Sequence, residues 1–185
     1  MTTGRIFVIS APSGTGKTTI SQRLLRDIPD LVVSISTTTR RPRPGEKDGV
    51  DYHFVTPERF QAMVERNEFA EWARVYAHCY GTPKSFLKEQ LRHGRNVILT
   101  IDTQGGLKIK KVFPDAVLIG LLPPSMEEQE ARMRRRAGGT PETEIKERLD
   151  WARRERKTLF ACYDYRFVNK RLESTVAKIK KLISR

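Results

Sequence analysis

The amino-acid sequence predicts an α/β fold in which a parallel β-sheet core is flanked by helices. Short apolar runs bounded by turn residues recur along the chain, and most of the stretches between them carry helix start signals. This alternation is typical of a parallel sheet covered by helices. The chain has 185 residues, of which 38% are hydrophobic, so it has the length of one domain and enough apolar material for a packed core.

Five apolar runs are the candidate strands of this sheet. They lie at residues 5–10, 31–35, 96–101, 116–121 and 165–168. The longest purely apolar stretch falls far short of the roughly 18 residues that a membrane-spanning helix needs. We therefore expect no membrane association.

Three of the connecting segments begin with helix-capping signals. Thr82-Pro83 is a predicted N-cap followed by proline at the first helical position, and Gly94 can end the same helix. Ser125 and Glu128 have the spacing of a capping box, and Thr140-Pro141 repeats the first signal.

The stretch from residue 36 to residue 81 departs from this pattern. Strand-like pieces at 52–55 and 69–75 surround one helix that Thr56-Pro57 opens. The stretch is therefore predicted to be a small subdomain inserted into a single domain. The predicted parts are a core (1–35, 82–124 and 150–185), an insertion (36–81) and a short helical lid (125–149).

Charge and cysteine content narrow the possible functions. The chain carries 35 Lys and Arg against 22 Asp and Glu, a net charge of +13. Such a surplus is one sign of nucleic-acid binding, but no RNP, KH or zinc-finger pattern accompanies it, and neutralising the phosphates of small ligands needs the same residues. Cys79 and Cys162 form no CxxC pair, and the apolar run at 6–9 is too short for a signal peptide. We expect no nucleic-acid partner and a cytoplasmic protein with reduced thiols.

The strongest local motif follows the first apolar run and precedes a helix. It reads Ala11-Pro12-Ser13-Gly14-Thr15-Gly16-Lys17-Thr18, with Thr19 next. In this context it is a phosphate-binding P-loop, in which Gly14 and Gly16 let backbone N–H groups turn inward. Lys17 would reach the outer phosphates of ATP, and the Thr18 hydroxyl would bind Mg²⁺. The strict motif has glycine in place of Ala11, which is a minor departure provided that φ stays negative there.

A glycine-rich loop that merely turns the chain is the alternative to a P-loop. The register of the glycines with Lys17 and Thr18, between a strand and a helix, favours phosphate binding. The whole fold is then predicted to be that of the P-loop NTPases.

Four short motifs follow one another in the insertion. They are STTTRRPRPGE at 36–46, DYHF at 51–54, FAEWA at 69–73 and YGT at 80–82. In order and spacing they resemble the GMP-binding segment of guanylate kinases. The resemblance extends over most of the chain, including the P-loop, IDTQGG at 101–106, the arginine-rich run of the lid and residues 163–169.

The resemblance implies two sets of contacts to GMP. Arg40 and Arg43, with the hydroxyls of Tyr52 and Tyr80, would bind the phosphate through charge-assisted bonds. A carboxylate at Glu71 and a hydroxyl at Ser36 match the N1–H and N2–H₂ donors and the O6 acceptor of guanine, and leave adenine unpaired. The family also places Thr82 and Asp102 around the base and ribose. Taken singly, each of these residues has an ordinary structural explanation.

For the lid, the resemblance implies that Arg132, Arg136 and Arg148 contact the transferring phosphoryl group and are catalytic together with Lys17. Arg134 and Arg135 lie in the same run, and a solvated basic helix face is the alternative. Asn169 would lie near the adenine of ATP.

Two positions depart from the family pattern. Thr100 stands where the family usually has Asp, on the same strand face as Asp102. A hydroxyl in place of that carboxylate would lower the affinity for Mg²⁺ or the rate if the carboxylate helps to hold the ion. Lys170-Arg171 follows Asn169, where acidic residues are common in the family.

The sequence thus predicts an enzyme that transfers the γ-phosphoryl group of ATP to GMP, and also to dGMP, with Mg²⁺ as cofactor. Other interpretations are an inactive binding module of the same fold, an RNA-binding protein and a kinase for another small molecule. Lys17 and Thr18 argue against the inactive module, and Thr100 is the best support for another kinase. The oligomeric state is left open.

Overall fold

The computed structural model describes residues 4–75, 77–137 and 141–184, with the side chains of Arg136 and Ala137 left aside. The strands in these ranges are β1 (Ile6–Ser10), β2 (Leu31–Val33), β3 (Thr37–Thr38), β4 (His53–Phe54), β5 (Phe69–Val75), β6 (His78–Pro83), β7 (Asn96–Leu99), β8 (Val117–Leu122) and β9 (Tyr165–Val168). The helices are α1 (Lys17–Asp27), α2 (Pro57–Glu65), α3 (Lys84–Arg92), α4 (Thr103–Val112), α5 (Met126–Ala137), α6 (Glu142–Cys162) and α7 (Leu172–Ile183).

A five-stranded sheet in the order β2–β7–β1–β8–β9 forms the centre of the fold. Every neighbouring pair of its strands is parallel. Each strand lies within one of the five predicted apolar runs, except that β8 extends one residue beyond its run, to Leu122. The predicted α/β fold with a parallel core is therefore confirmed.

The alternating side chains of β1 divide the core between the two faces of the sheet. Phe7 and Ile9 pack with α1 and α7 on one face. Ile6 and Val8 pack with α3, α4 and α6 on the other. Because both faces are covered, the three inner strands β7, β1 and β8 are almost continuously apolar, whereas the edge strand β9 is largely exposed.

The insertion forms a second, mixed sheet in the order β4–β3–β6–β5. β3 pairs parallel to β4 and antiparallel to β6, and β6 pairs antiparallel to β5. The sequence predicts β4 and β5 but not the other two strands, because β3 has only two residues and β6 contains Gly81 and Pro83, which both disfavour strands.

The predicted helix starts have different outcomes. Thr56 caps α2 by accepting a hydrogen bond from the N–H of Arg59, and Ser125 caps α5 by accepting one from the N–H of Glu128. The prediction of Thr82 as an N-cap is wrong, because the pairing of β5 with β6 extends to Pro83 and α3 begins one residue later. Thr140 lies outside the described residues.

Gly94 has a φ of +71° directly after the last turn of α3, as predicted for the residue that ends this helix. Within the described ranges, no helix combines the length and the apolar character that crossing a membrane requires.

We predict that Gly106→Ala destabilises the protein. A Cβ at Gly106 would overlap the hydroxyl oxygen of Tyr163, which donates a hydrogen bond to Ser10. Overpacking costs about 1–3 kcal/mol, which exceeds the gain in helix propensity of up to about 1 kcal/mol. Urea denaturation should show a loss of about 2 kcal/mol in the free energy of unfolding.

The control is the double variant Gly106→Ala/Tyr163→Phe. Removing the hydroxyl makes room for the methyl group, so the double variant should lose less stability than the sum of the two single changes. Strict additivity would contradict the proposed clash.

Candidate active site

The P-loop has the geometry of an anion cradle. Gly14 and Gly16 have φ values of +82° and +93°, which only glycine adopts easily. Gly16 offers no side-chain cap to α1, and the first turn of α1 contains no acidic residue. The N–H groups of the first turn of α1 and the positive end of the α1 dipole therefore point at the loop.

All of the predicted ATP-binding loop, residues 11–19, lines one cavity of about 330 Å³, called here the loop cavity. Its other lining residues are Arg43, Tyr52, Val75, Asp102, Trp151 and Glu155. The hydroxyl of Thr15 is buried and has no hydrogen-bond partner among the described residues. Ala11 has negative φ, because Asn67 is the one non-glycine residue with positive φ in the described ranges.

Two buried amides hold the P-loop in place from distant parts of the chain. Nδ2 of Asn169 donates to the Thr15 carbonyl at 2.8 Å, and Nε2 of Gln129 donates to the Ser13 carbonyl at 2.9 Å. Gln129 belongs to α5, so the first helix of the predicted lid is bonded directly to the loop. The sequence predicts Asn169 near adenine, and its visible role is to brace the P-loop.

Lys17 lies at the carboxyl end of the central strands. Its Nζ donates to the Ile101 carbonyl at 3.3 Å. Burial lowers the pKa of the ammonium group, and the carboxylates of Glu155 and Asp102 act in the opposite direction. The adjacent Thr18 and Thr19 are exposed at the rim of the loop cavity.

A second cavity of about 180 Å³, called here the inner cavity, lies between the two sheets. It is lined by Lys17, Ser36, Tyr52, Glu71, Val75, Tyr80, Thr100, Ile101 and Asp102. The structure thus brings together five of the predicted GMP-binding residues, which come from separate motifs.

Glu71 is the buried acid of the inner cavity. It lies on β5 directly opposite Thr82 on β6, and the Thr82 hydroxyl donates to its Oε1 at 2.6 Å. Burial raises the pKa of Glu71 to about 7, although the Thr82 hydrogen bond opposes this shift. Thr82 therefore orients this carboxylate from behind the cavity wall.

The two predicted phosphate-binding arginines occupy different positions. Arg40 forms an ion pair with Glu46, with Nη2 at 2.8 Å from Oε1, and its guanidinium lies 5.3 Å from the centre of the Tyr52 ring. Arg43 lines the loop cavity, and its backbone N–H donates to the same glutamate. Glu46 therefore links both arginines of this loop.

Two of the three predicted lid arginines are paired on their own helices. Arg132 is bonded to Glu128 on α5 and Arg148 to Glu144 on α6. The side chain of Arg136 lies outside the described residues. Contact of these arginines with a phosphoryl group stays a prediction.

Sequence reasoning did not find Gln129, Tyr163 or Glu155. The sequence does carry a signal for Glu155, because this residue is a charged side chain at helical spacing within the otherwise apolar buried face of α6. That face consists of Ile145, Leu149, Ala152, Glu155 and Leu159. A larger cavity of about 630 Å³ lies at the opposite end of β1, around residues 4–6 and 112–116, and contains none of the predicted site residues.

The parallel sheet, the glycine-rich cradle at its carboxyl edge and the adjoining cavity define a P-loop nucleotide-binding protein. The guanylate kinase family model matches residues 3–185. A guanylate kinase of Myxococcus xanthus (strain DK1622) is 49% identical over 97% of this chain and 86% of its own length. One of Syntrophotalea carbinolica is 51% identical over 97% of this chain and 85% of its own length.

A solved structure gives the same result. The crystal structure of guanylate kinase from Anaplasma phagocytophilum superimposes with a TM-score of 0.82 at 35% identity, covering 100% of this chain and 86% of that one. The chain belongs to the guanylate kinase family.

We predict that Asn169→Asp destabilises the protein by about 1–3 kcal/mol. The substitution removes the buried donor and leaves a carboxylate facing the Thr15 carbonyl. Chemical denaturation measures the loss. Asn96→Asp is the matched control, because the Asn96 side chain accepts a hydrogen bond from the N–H of Arg5 and a carboxylate can do the same. Equal losses in the two variants would contradict the bracing role of Asn169.

Proposed function

We propose that the protein transfers the γ-phosphoryl group of ATP to GMP, giving ADP and GDP. The observation that carries this proposal is that the loop cavity and the inner cavity share part of their walls. The shared lining residues are Lys17, Tyr52, Val75 and Asp102. A triphosphate on the P-loop and a nucleotide in the inner cavity would therefore meet at the Lys17 ammonium group.

The loop cavity is the donor site in this proposal. The backbone N–H groups of residues 11–19 bind the phosphates of ATP, and Lys17 neutralises the outer ones. The unpartnered Thr15 hydroxyl, buried in the same loop, is a further donor for a phosphate oxygen. Asn169 supports the loop from behind.

The inner cavity and the arginine loop beside it form the acceptor site. Glu71 and Ser36 bind the edge of guanine, and Asp102 lies near its ribose. Arg40, Arg43, Tyr52 and Tyr80 bind the phosphate. Because Glu71 is buried and, among the described residues, only Thr82 donates a hydrogen bond to it, a base that cannot donate two further hydrogen bonds leaves the carboxylate incompletely paired at high cost.

A magnesium ion fits this site as a companion of ATP. The described residues contain no group of three or more His, Cys, Asp or Glu side chains that could hold a metal ion. Mg²⁺ needs no such cage where it binds mainly to substrate phosphates and water. The exposed Thr18 hydroxyl is the protein ligand in this proposal, and the ion would neutralise phosphate charge.

Catalysis then rests on positioning and charge neutralisation. The acceptor phosphate is already an oxyanion, so no general base is needed. The insertion (36–81) and the lid (125–149) close over the nucleotides and exclude water. Arg132 and Arg148 exchange their glutamate partners for phosphate oxygens, which is cheap because partly exposed ion pairs contribute only about 0–1 kcal/mol. Arg136 joins them from the end of α5.

We predict that an ADP-release assay with ATP and Mg²⁺ detects turnover with GMP and dGMP, and little with AMP, UMP or CMP. Lys17→Met should abolish turnover while the protein remains folded, because the transferring phosphoryl group loses its ammonium partner. ADP release that is independent of the acceptor, or faster with another monophosphate, would refute the proposed reaction.

We also predict that KM for GMP rises as the pH falls below about 7. The pKa of Glu71 is about 7 in the free protein, and only the ionised carboxylate accepts two hydrogen bonds from guanine. Because the raised pKa protonates Glu71 as the pH falls, KM should increase by up to about tenfold per pH unit below that value. Steady-state kinetics between pH 5.5 and about 8 test this prediction.

Glu71→Gln separates this effect from protonation of the GMP phosphate, whose second pKa is about 6. In this variant KM for GMP should be raised at every pH, preference over AMP should weaken, and the remaining pH dependence should be that of the phosphate alone. An unchanged GMP/AMP preference in the variant would exclude Glu71 from base recognition.

A further inference from the structure

Glu155 is a buried acid on a helix that otherwise presents apolar side chains to the core. It is 7% exposed, while its neighbours Arg153 and Arg154 are exposed to solvent. A carboxylate in such a place needs partners that offset its loss of hydration. Its surroundings therefore indicate what the side chain does.

Three groups from other elements face Glu155. The backbone N–H of Thr103, at the start of α4, favours the charged form of its carboxylate. The ammonium of Lys17, at the start of α1, attracts it, and Asp102 repels it. All of them lie at the carboxyl edge of the central sheet, and Glu155 lines the loop cavity there.

The carboxylates of Glu155 and Asp102 share the amino end of α4. Asp102 accepts hydrogen bonds from the N–H groups of Gln104 and Gly105, and Glu155 lies near the N–H of Thr103, so both acids lie at the first turn of the helix. The positive end of the helix dipole then holds negative charge beside Lys17. Lys17 thus has two carboxylates at fixed positions.

We propose that Glu155 is a positioning residue that fixes the direction of the Lys17 ammonium group and ties α6 to the P-loop for phosphoryl transfer. This inference rests on the proposed function. Lys17 has a long flexible side chain, and its one described hydrogen bond, to the Ile101 carbonyl, is long at 3.3 Å. Arg148 precedes Glu155 by seven residues, about 10 Å along α6. By holding α6 in place, Glu155 therefore also fixes the backbone position of this predicted lid arginine.

The proposal predicts opposite effects on binding and on rate. A carboxylate in the loop cavity repels the phosphates of ATP, so its removal should leave ATP binding unchanged or make it tighter. The same removal leaves Lys17 poorly directed, and positioning errors at a reacting centre slow the reaction. A residue that only supports the fold would weaken ATP binding and rate together.

The test is Glu155→Gln, which keeps the shape of the side chain and an acceptor oxygen but removes the charge. Calorimetry with ATP and Mg²⁺ in the absence of GMP gives Kd, and steady-state kinetics gives kcat and KM for GMP. We expect kcat to fall by at least about tenfold, with Kd for ATP equal to or below that of the wild type. KM for GMP should stay within about twofold.

Two further variants secure the interpretation. Asp150→Asn removes one negative charge from the same helix at a half-exposed position, where Asp150 pairs with Arg153, and should change none of these constants. Glu155→Asp keeps the charge but withdraws it by one methylene, and its kcat should lie between those of the wild type and Glu155→Gln. Circular dichroism and the thermal midpoint confirm that each variant is folded.

A wild-type kcat in folded Glu155→Gln overturns the proposal, and so does a parallel loss of kcat and of ATP affinity. If the wild type itself does not phosphorylate GMP, the proposed function fails instead, so the two failures are distinguishable.

Discussion

The site depends on a balance of buried charge at the carboxyl edge of the central sheet. An ammonium group there loses much of its hydration, which by itself favours the neutral amine. Lys17 stays compatible with this place because Glu155 and Asp102 face it, and the Asp102 carboxylate in turn accepts hydrogen bonds from the first turn of α4. One lysine, two acids and one helix end thus stabilise one another before any nucleotide is bound.

The same edge explains why two ligands can meet. In a parallel sheet, the loops that follow the strands gather at one end. β1 leads into the P-loop, β7 leads to Asp102, and the insertion follows β2. The two cavities therefore share a wall, and Lys17 belongs to both. In the proposed reaction, the core of the fold would set the distance between donor and acceptor, and the predicted lid would complete the enclosure.

The features predicted correctly from the sequence are those encoded by neighbouring residues. The three inner strands of the central sheet are almost continuous apolar runs, and the P-loop is a contiguous motif whose two glycines have positive φ. The contacts that were missed join distant residues: Gln129 to Ser13, Asn169 to Thr15 and Tyr163 to Ser10. No local pattern shows which amide will reach a loop more than a hundred residues away.

Thr82 shows how a local signal can be overridden. Thr82-Pro83 has the features of a helix start, yet cross-strand pairing with β5 takes both residues into β6. The threonine hydroxyl then orients Glu71 rather than capping α3. The family resemblance implies a position for Thr82 near the base. The pairing of β5 with β6 accounts for that position, and the local capping rule does not.

The raised pKa values of Glu71 and Glu155, each about 7, show that this site lowers the stability of the fold. Because the folded chain holds these protons more tightly than the unfolded chain, their contribution is most favourable below pH 4.5 and is lost as the pH rises through about 7. At neutral pH each buried acid then lowers the stability of the unliganded fold by an amount on the order of a few kcal/mol. Two apolar residues would make a more stable core. The proposed roles of Glu71 at the guanine edge and of Glu155 beside the Lys17 ammonium group account for the acids at these two positions.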